Sequence, residues 1–205
     1  MLTTNPDIRR AGELFFVEGA AFLTGTMLAA SIPLAYDYHA GAISDLGVID
    51  QTALLFNILL VVVGALNIVA GYLFYGAHRR TWLLAMFVVG GFGAIGAGLL
   101  PLSTGAPHSL FALVGFLFFN MEAVATARVI TGPVRWISFV AGVVGLVYIA
   151  VMVIGDGGND TVFGAIGHGG AERMIVYPAM LWLLALGGYL MSRSGEVLTG
   201  DAAPG

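Results

Sequence analysis

Six apolar stretches, each about 20 residues long and nearly free of charge, limit what this chain can fold into more than any other feature. They run approximately over Leu14–Leu34, Ala53–Gly76, Trp82–Leu102, His108–Ile130, Trp136–Ile154 and Met174–Met191. A hydrocarbon layer roughly 30 Å thick offers no water to backbone N–H and C=O groups, so a segment of this length crosses it as an α-helix. The fold expected is all-α: an integral membrane bundle of six transmembrane helices that forms a single domain over residues 1–205. Composition agrees, with 59% hydrophobic and 10% charged residues, whereas soluble domains carry about 25% charge.

Charge placement orients the bundle. Arg9 and Arg10 precede span one, Arg79 and Arg80 precede span three, Arg128 and Arg135 flank the turn between spans four and five, and Arg193 follows span six. Only Arg173 lies on the other side, together with Asp37, Asp45, Asp50, Asp156, Asp160 and Glu172. By the positive-inside rule both termini are expected in the cytoplasm of a cell bearing this protein in its plasma membrane. Trp82, Trp136, Tyr72, Tyr75 and Tyr189 then fall near inner helix ends, and Tyr36 and Tyr38 near an outer one. Span one reads as a signal anchor, with Asn5 capping the first helix and Pro6 in its first turn.

Several function classes drop out on composition. The chain has no Cys, which excludes disulfides and thiolate chemistry. Nucleic acid is not an expected partner, because the net charge is -4 and the Arg pairs are explained by topology. The partners expected are membrane lipids and, as an alternative, a second copy of the chain. Among the 30 Gly residues, Gly90, Ala94 and Gly98 lie at four-residue spacing on span three, with Gly93 and Ala97 beside them. These are read as seams inside the bundle in preference to a dimer face.

Polar residues concentrate at the outer helix ends. The first outer loop reads Tyr36-Asp37-Tyr38-His39 and then Ile43-Ser44-Asp45-Leu46-Gly47, and Phe56-Asn57 opens span two. Pro107-His108-Ser109 opens span four, and Glu172-Arg173 precedes Tyr177-Pro178 and Trp182 in span six. In these motifs, and over nearly its whole length, the chain resembles the domain-of-unknown-function 998 family of small polytopic membrane proteins from archaea and bacteria. The resemblance implies a six-helix bundle with an outward-facing polar cluster. It implies no activity.

The residues themselves carry the functional expectations. His108 at a helix start is a candidate general base or metal ligand, against a bland reading in which it bonds a loop carbonyl. Asp45 is a candidate to orient His108, and the single contact most expected is an Asp45–Arg173 ion pair tying the first loop to span six. Ser44, Asn57, Glu172, Arg173 and Tyr177 complete a candidate ligand site. Ser44 is more plausible as a turn residue than as a nucleophile, and Arg173 can hold a lipid phosphate. Glu172 and Arg173 are adjacent on one helix, so one should face the pocket and the other a neighbouring helix or loop. A zinc site would need His39, His108 and His168 together, and the sequence does not place the two loop histidines. No cofactor is identified. Gly155-Asp156-Gly157-Gly158-Asn159-Asp160 resembles a single calcium-binding nonapeptide, but a motif that works by stacking is better read here as a polar loop. Pro33, Pro101, Pro107 and Pro178 all fall near outer helix ends.

Glu18, Asn67, Asn120 and Glu122 lie deep in the spans, where a carboxylate costs about 2.5–3.5 kcal/mol on insertion scales, so they should face the bundle interior. Pairing of Glu122 or Glu18 with Arg128 is favoured over a role in carrying protons. The reading these residues support best is an outward pocket that binds a lipid headgroup or small polar ligand, with action on it as a hydrolase or transferase left open. The alternatives are a small proton-coupled transporter using Glu18 or Glu122, and a non-catalytic membrane scaffold.

Overall fold

The computed structural model describes residues 6–193, and six long helices account for most of them: α1 (Pro6–Ser31), α2 (Ala53–His78), α3 (Thr81–Leu99), α4 (Ala106–Thr126), α5 (Pro133–Asp156) and α6 (Gly167–Ser192). No strand occurs among the described residues. All six helices are long and apolar enough to cross a membrane, and the protein is an integral membrane bundle.

Two helices start earlier than hydropathy alone places them. α1 begins at Pro6 and not near Leu14, because the pairs Arg9–Glu13 (2.9 Å) and Asp7–Arg10 (4.0 Å) sit at helical spacing and keep these polar turns helical. Asn5, expected to cap this helix, lies outside the described residues. α6 begins at Gly167 and not near Met174, because its opening turns are held by bonds to the α1–α2 loop. As a result Pro178 lies well inside α6 and not near its end, as the sequence reading had it.

Each helix packs on its sequence neighbours and α6 returns to α1, so the six close into a ring, with α4 also touching α6 across it. The connections after α1, α3 and α5 lie at one end of the bundle, hereafter the loop end. The tight α2–α3 and α4–α5 connections lie with both chain termini at the other, the turn end. Arg9, Arg10, Arg79, Arg80, Arg128, Arg135 and Arg193 are at the turn end, and Arg173 is at the loop end. Apolar side chains such as Met27, Leu54, Trp136, Val147 and Val153 stay exposed around the outside, where lipid tails are the natural neighbours. Inside, Phe15 of α1 meets Phe74 of α2 and Phe87 of α3 at ring-centroid distances of 6.1 and 5.2 Å. Buried Trp182 of α6 donates to Ser138 Oγ of α5 at 2.6 Å, which satisfies both polar atoms away from water.

Close backbone approach builds the ring, as the glycine content implied. A Cβ on Gly64 of α2 would meet the carbonyl oxygen of Gly91 on α3, and a Cβ on Gly91 would lie 2.5 Å from Gly64 O. The small residues expected to form seams do so within the bundle: Gly93 lies on Gly115 of α4, and Gly98 on the Asn57 carbonyl of α2. Gly64→Val should therefore force α2 and α3 apart and cost about 1–3 kcal/mol, as overpacking of a tight interface does. Thermal unfolding in detergent should show the loss, while Gly76→Val, with nothing within 4 Å of its Cβ, should melt like the wild type.

Candidate functional site

At the loop end, the α1–α2 connection folds down onto the first turns of α6, and one guanidinium holds it there. Arg173 Nη1 donates to the carbonyls of Tyr38 (3.0 Å), Gly41 (3.1 Å) and Gly169 (2.7 Å), and Nη2 donates to Tyr36 Oη (2.7 Å). The guanidinium also lies over the Tyr36 and Tyr38 rings, at 5.6 and 4.8 Å from their centroids. Tyr177, one turn further along α6, interacts with the same group. The loop can come this close because α6 opens on glycines: a Cβ on Gly169 would meet the Gly41 and Tyr38 carbonyls, and Gly169 N–H donates to His39 O at 3.0 Å.

This arrangement replaces the expected Asp45–Arg173 ion pair. Asp45 Oδ2 instead accepts from Ala42 N–H at 2.9 Å, closing the turn that it starts, and no carboxylate within described residues forms an ion pair with Arg173. Backbone carbonyls outcompeted the carboxylate because the loop wraps its peptide groups round the guanidinium. Most of Arg173's donors are thereby engaged by the protein itself and are not available to a lipid phosphate. Asn57 is likewise structural: its Nδ2 donates to Gly47 O at 3.0 Å, pinning the loop to α2.

Beneath this loop lies a central cavity of about 70 Å³ whose walls come from α1, α2, α3, α4 and α6. Phe22, Phe56, Val63, Phe116, Phe119 and Met180 make it almost wholly apolar. Its polar lining consists of Ser44, His108 and Glu172 toward the loop end and Asn120 deeper down. The adjacent pair on α6 divides as helical geometry requires, with Glu172 lining the cavity and Arg173 facing the loop. The Glu172 carboxylate accepts from the Ile43 N–H and interacts with the Ser44 N–H and hydroxyl, so it holds the 3₁₀ turn (Ser44–Gly47) over the cavity.

His108 is buried, with 3% of its surface exposed, and its Nδ1 lies 2.7 Å from Leu100 O and 3.2 Å from Ala97 O. Both neighbours are acceptors, so Nδ1 carries a proton, and in the neutral ring Nε2 presents a lone pair. Nε2 has no protein partner. Asp45 does not orient this ring, contrary to the expectation, because the carbonyls at the end of α3 already do; Asp45 lines a separate open basin with Tyr36 and Ile49. Asn120 Nδ2 donates to Phe116 O (2.8 Å) and Ile175 O (3.0 Å), joining α4 to α6 close to where Pro178 leaves the Met174 carbonyl without its helical donor.

Deeper still, Glu122 Oε1 accepts from Asn67 Nδ2 at 3.0 Å, and Asn67 Nδ2 also donates to Phe87 O at 3.0 Å. Glu18 interacts with Glu122. The expected pairing of either acid with Arg128 does not form: Arg128 is exposed at the turn end while both carboxyls are fully buried. The role of Asn67 was legible only in part, as a buried polar group sharing a face with Val63, Ala70 and Phe74. Tyr36, read as an interfacial aromatic, is in addition a hydrogen-bond hub that accepts from Arg173 and donates to Ala42 O at 2.7 Å.

No three His, Cys, Asp or Glu side chains among the described residues come together as metal ligands. His39 lies against Gly167, His108 faces the α3 carbonyls, and His168 pairs with Asp156 at 3.2 Å, so the three histidines expected of a zinc site have separate partners.

The Arg173–Tyr36 contact has a pH dependence with a definite sign. Burial pushes the Tyr36 hydroxyl from its ordinary value of 10.0 up to about 12, against the opposing pull of Arg173. The folded chain keeps this proton where the unfolded chain loses it, so the contribution is full below pH 10.0 and is lost as pH rises toward about 12. The melting temperature should fall more steeply over that window in the wild type than in Tyr36→Phe. Arg173→Lys, which cannot reproduce the fork, should cost about 1.5–3 kcal/mol at neutral pH.

Neither a curated protein nor a solved structure matches the chain. A family model described as protein of unknown function (DUF998) matches residues 16–189, which takes in the loop pin, the cavity and the buried acids alike. The chain belongs to this family of unknown function.

Proposed function

We propose that the central cavity holds the apolar part of an amphiphile, a lipid drawn from the leaflet at the loop end, with its polar end against His108, Ser44 and Glu172. The observation that carries this reading is His108 Nε2, a buried acceptor without a protein donor on a residue that lines an almost wholly apolar cavity. Leaving such an atom unsatisfied costs about 1–3 kcal/mol, and a ligand that offers a donor recovers it. Glu172 is already engaged by the Ile43–Ser44 turn, and Arg173 by the loop. The polar end of the ligand is thus selected by an acceptor, which favours a hydroxyl or an amine over a phosphate. The same lone pair suits His108 to act as a general base toward a ligand hydroxyl or a water, with Ser44 on the same wall. Asp45 has no part in this chemistry.

Retention of lipid through purification tests the reading. Mass spectrometry of the detergent-purified wild type should find one hydroxyl- or amine-bearing lipid per chain. His108→Ala should weaken its binding about tenfold, the equivalent of about 1.4 kcal/mol. Ala112→Phe, which fills the cavity from α4, should abolish retention. A wild type free of stoichiometric lipid, with His108→Ala costing only melting temperature, would leave the polar cluster a scaffold.

The reading also requires the loop end to face outward in a cell membrane, as the Arg distribution indicates. The absence of Cys makes this directly testable. A single cysteine at exposed Asp37, in the α1–α2 loop, should react with an impermeant maleimide on intact cells. One at exposed Thr131, in the α4–α5 turn, should react only after permeabilisation.

A further inference from the structure

Glu18, Asn67 and Glu122 form a second polar site that the cavity reading does not use. All three are fully buried. They come from three helices and meet on the axis of the ring, against Gly90 of α3, where a Cβ would lie 2.5 Å from Glu122 Oε1 and 3.5 Å from Asn67 Nδ2. The glycine therefore leaves the space that the carboxyl fills.

The hydrogen-bond inventory of this site is unbalanced. Glu18 Oε1 and Oε2, Glu122 Oε2 and Asn67 Oδ1 are four acceptor oxygens with no protein partner. The one donor group, Asn67 Nδ2, is already given to Glu122 Oε1 and Phe87 O. No counter-charge corrects this from any packed element. α2 presents neutral Asn67, α3 presents Gly90, and α6 presents Met180, Leu183 and Leu184 beside Gly19 of α1. The nearest charges on the same chain segments are exposed and lie toward the turn end: Glu13, which pairs with Arg9, and Arg10 on α1, and Arg128 just beyond α4. His78 closes α2 three turns beyond Asn67. Two ionised carboxylates this close, in a medium that cannot solvate them, would repel each other and lose several kcal/mol each in desolvation. Bound protons remove both penalties and supply the O–H donors that the stranded oxygens require.

We propose that Glu18, Glu122 and Asn67 are a proton-binding site, in which the carboxyls take up protons from water and the resulting O–H groups donate to the neighbouring carboxyl and to Asn67 Oδ1. The site lies directly under the cavity. Phe22 is one helical turn from Glu18, Val63 one turn from Asn67, Ala94 one turn from Gly90 and Phe119 one turn from Glu122, and all four line the cavity floor or walls. About 6 Å along the axis thus separates the acid pair from the space open toward the loop end. A proton reaching the cavity has a path of one turn to the pair, and occupancy of the cavity controls that path. The proton site does not rest on the lipid reading, since its inventory is the same whatever fills the cavity.

Infrared spectroscopy of the full chain in lipid nanodiscs tests the assignment. The wild type at neutral pH should show a protonated carboxylic C=O band that shifts in deuterium oxide. Part of it should disappear in Glu18→Gln and part in Glu122→Gln, both near-isosteric changes whose folding is checked by melting temperature. If one variant does not fold, the other still decides the matter, because any band from the third buried carboxyl, Glu172, is one that neither substitution removes. A wild type without the band at neutral pH overturns the proposal. So does loss of the band on adding sodium or potassium at fixed pH, with a matching rise in melting temperature absent from Glu122→Gln, because the site would then be one for a metal cation.

Discussion

Lipid supplies no hydrogen bonds, and the arrangement of this bundle follows from that constraint. Polar side chains carried into the membrane have to look for their partners within the ring, and several of them find one. Asn120 takes two carbonyls, Asn67 takes a carbonyl and a carboxyl, and Trp182 takes Ser138. These groups can meet only if the backbones come close, and glycines at the α2–α3 and α3–α4 crossings allow that approach. The glycine content and the buried polar residues, separate features in the sequence, are two halves of one solution.

The loop end divides its polar residues between two tasks. Arg173, Tyr36, Asp45 and Asn57 are committed to the α1–α2 loop, each to a carbonyl, an N–H or a hydroxyl within the protein. His108 alone combines complete burial, a fixed tautomer and a partnerless nitrogen on the cavity wall. The first set is costly to mutate because it shapes the roof; His108 is the residue whose chemistry remains open to a ligand. Glu172 bridges the two, facing the cavity while holding the turn above it.

The six spans were legible because twenty-residue apolar periods state their own length requirement, and four of the six helices begin close to where hydropathy puts them. α1 and α6 begin ahead of their apolar stretches because local ion pairs and loop contacts, not apolarity, extend them; the Asn5-Pro6 signal marks the first of these starts, and no such signal marks the second. Asp45–Arg173 failed as a pair for a similar reason. Opposite charges on facing segments suggest an ion pair, but most of a guanidinium's donors are engaged as well by a loop that turns three acceptors toward it, with a fourth from the Gly169 carbonyl of α6. Glu122 and Arg128 are close in sequence, and the separation that defeats their pairing is radial: one points to the axis and the other to the surface. Sequence spacing gives depth in the membrane much more readily than it gives the direction a side chain faces.

Depth and direction together explain why the axis holds two chemically different sites. Toward the loop end α4 carries His108 in its first turn and α6 carries Pro178, and the cavity between them has an acceptor on its wall. One turn below, Gly71 and Gly90 let α2, α3 and α4 come together, and the space between them is filled by carboxyl and carboxamide groups. The cavity ends where the acids begin because the Glu18, Asn67 and Glu122 side chains fill the axis one turn below its lining residues. The proposed ligand, entering from the loop end, would therefore stop above Glu18 and Glu122, and the two acids lie one turn below the cavity that would hold it.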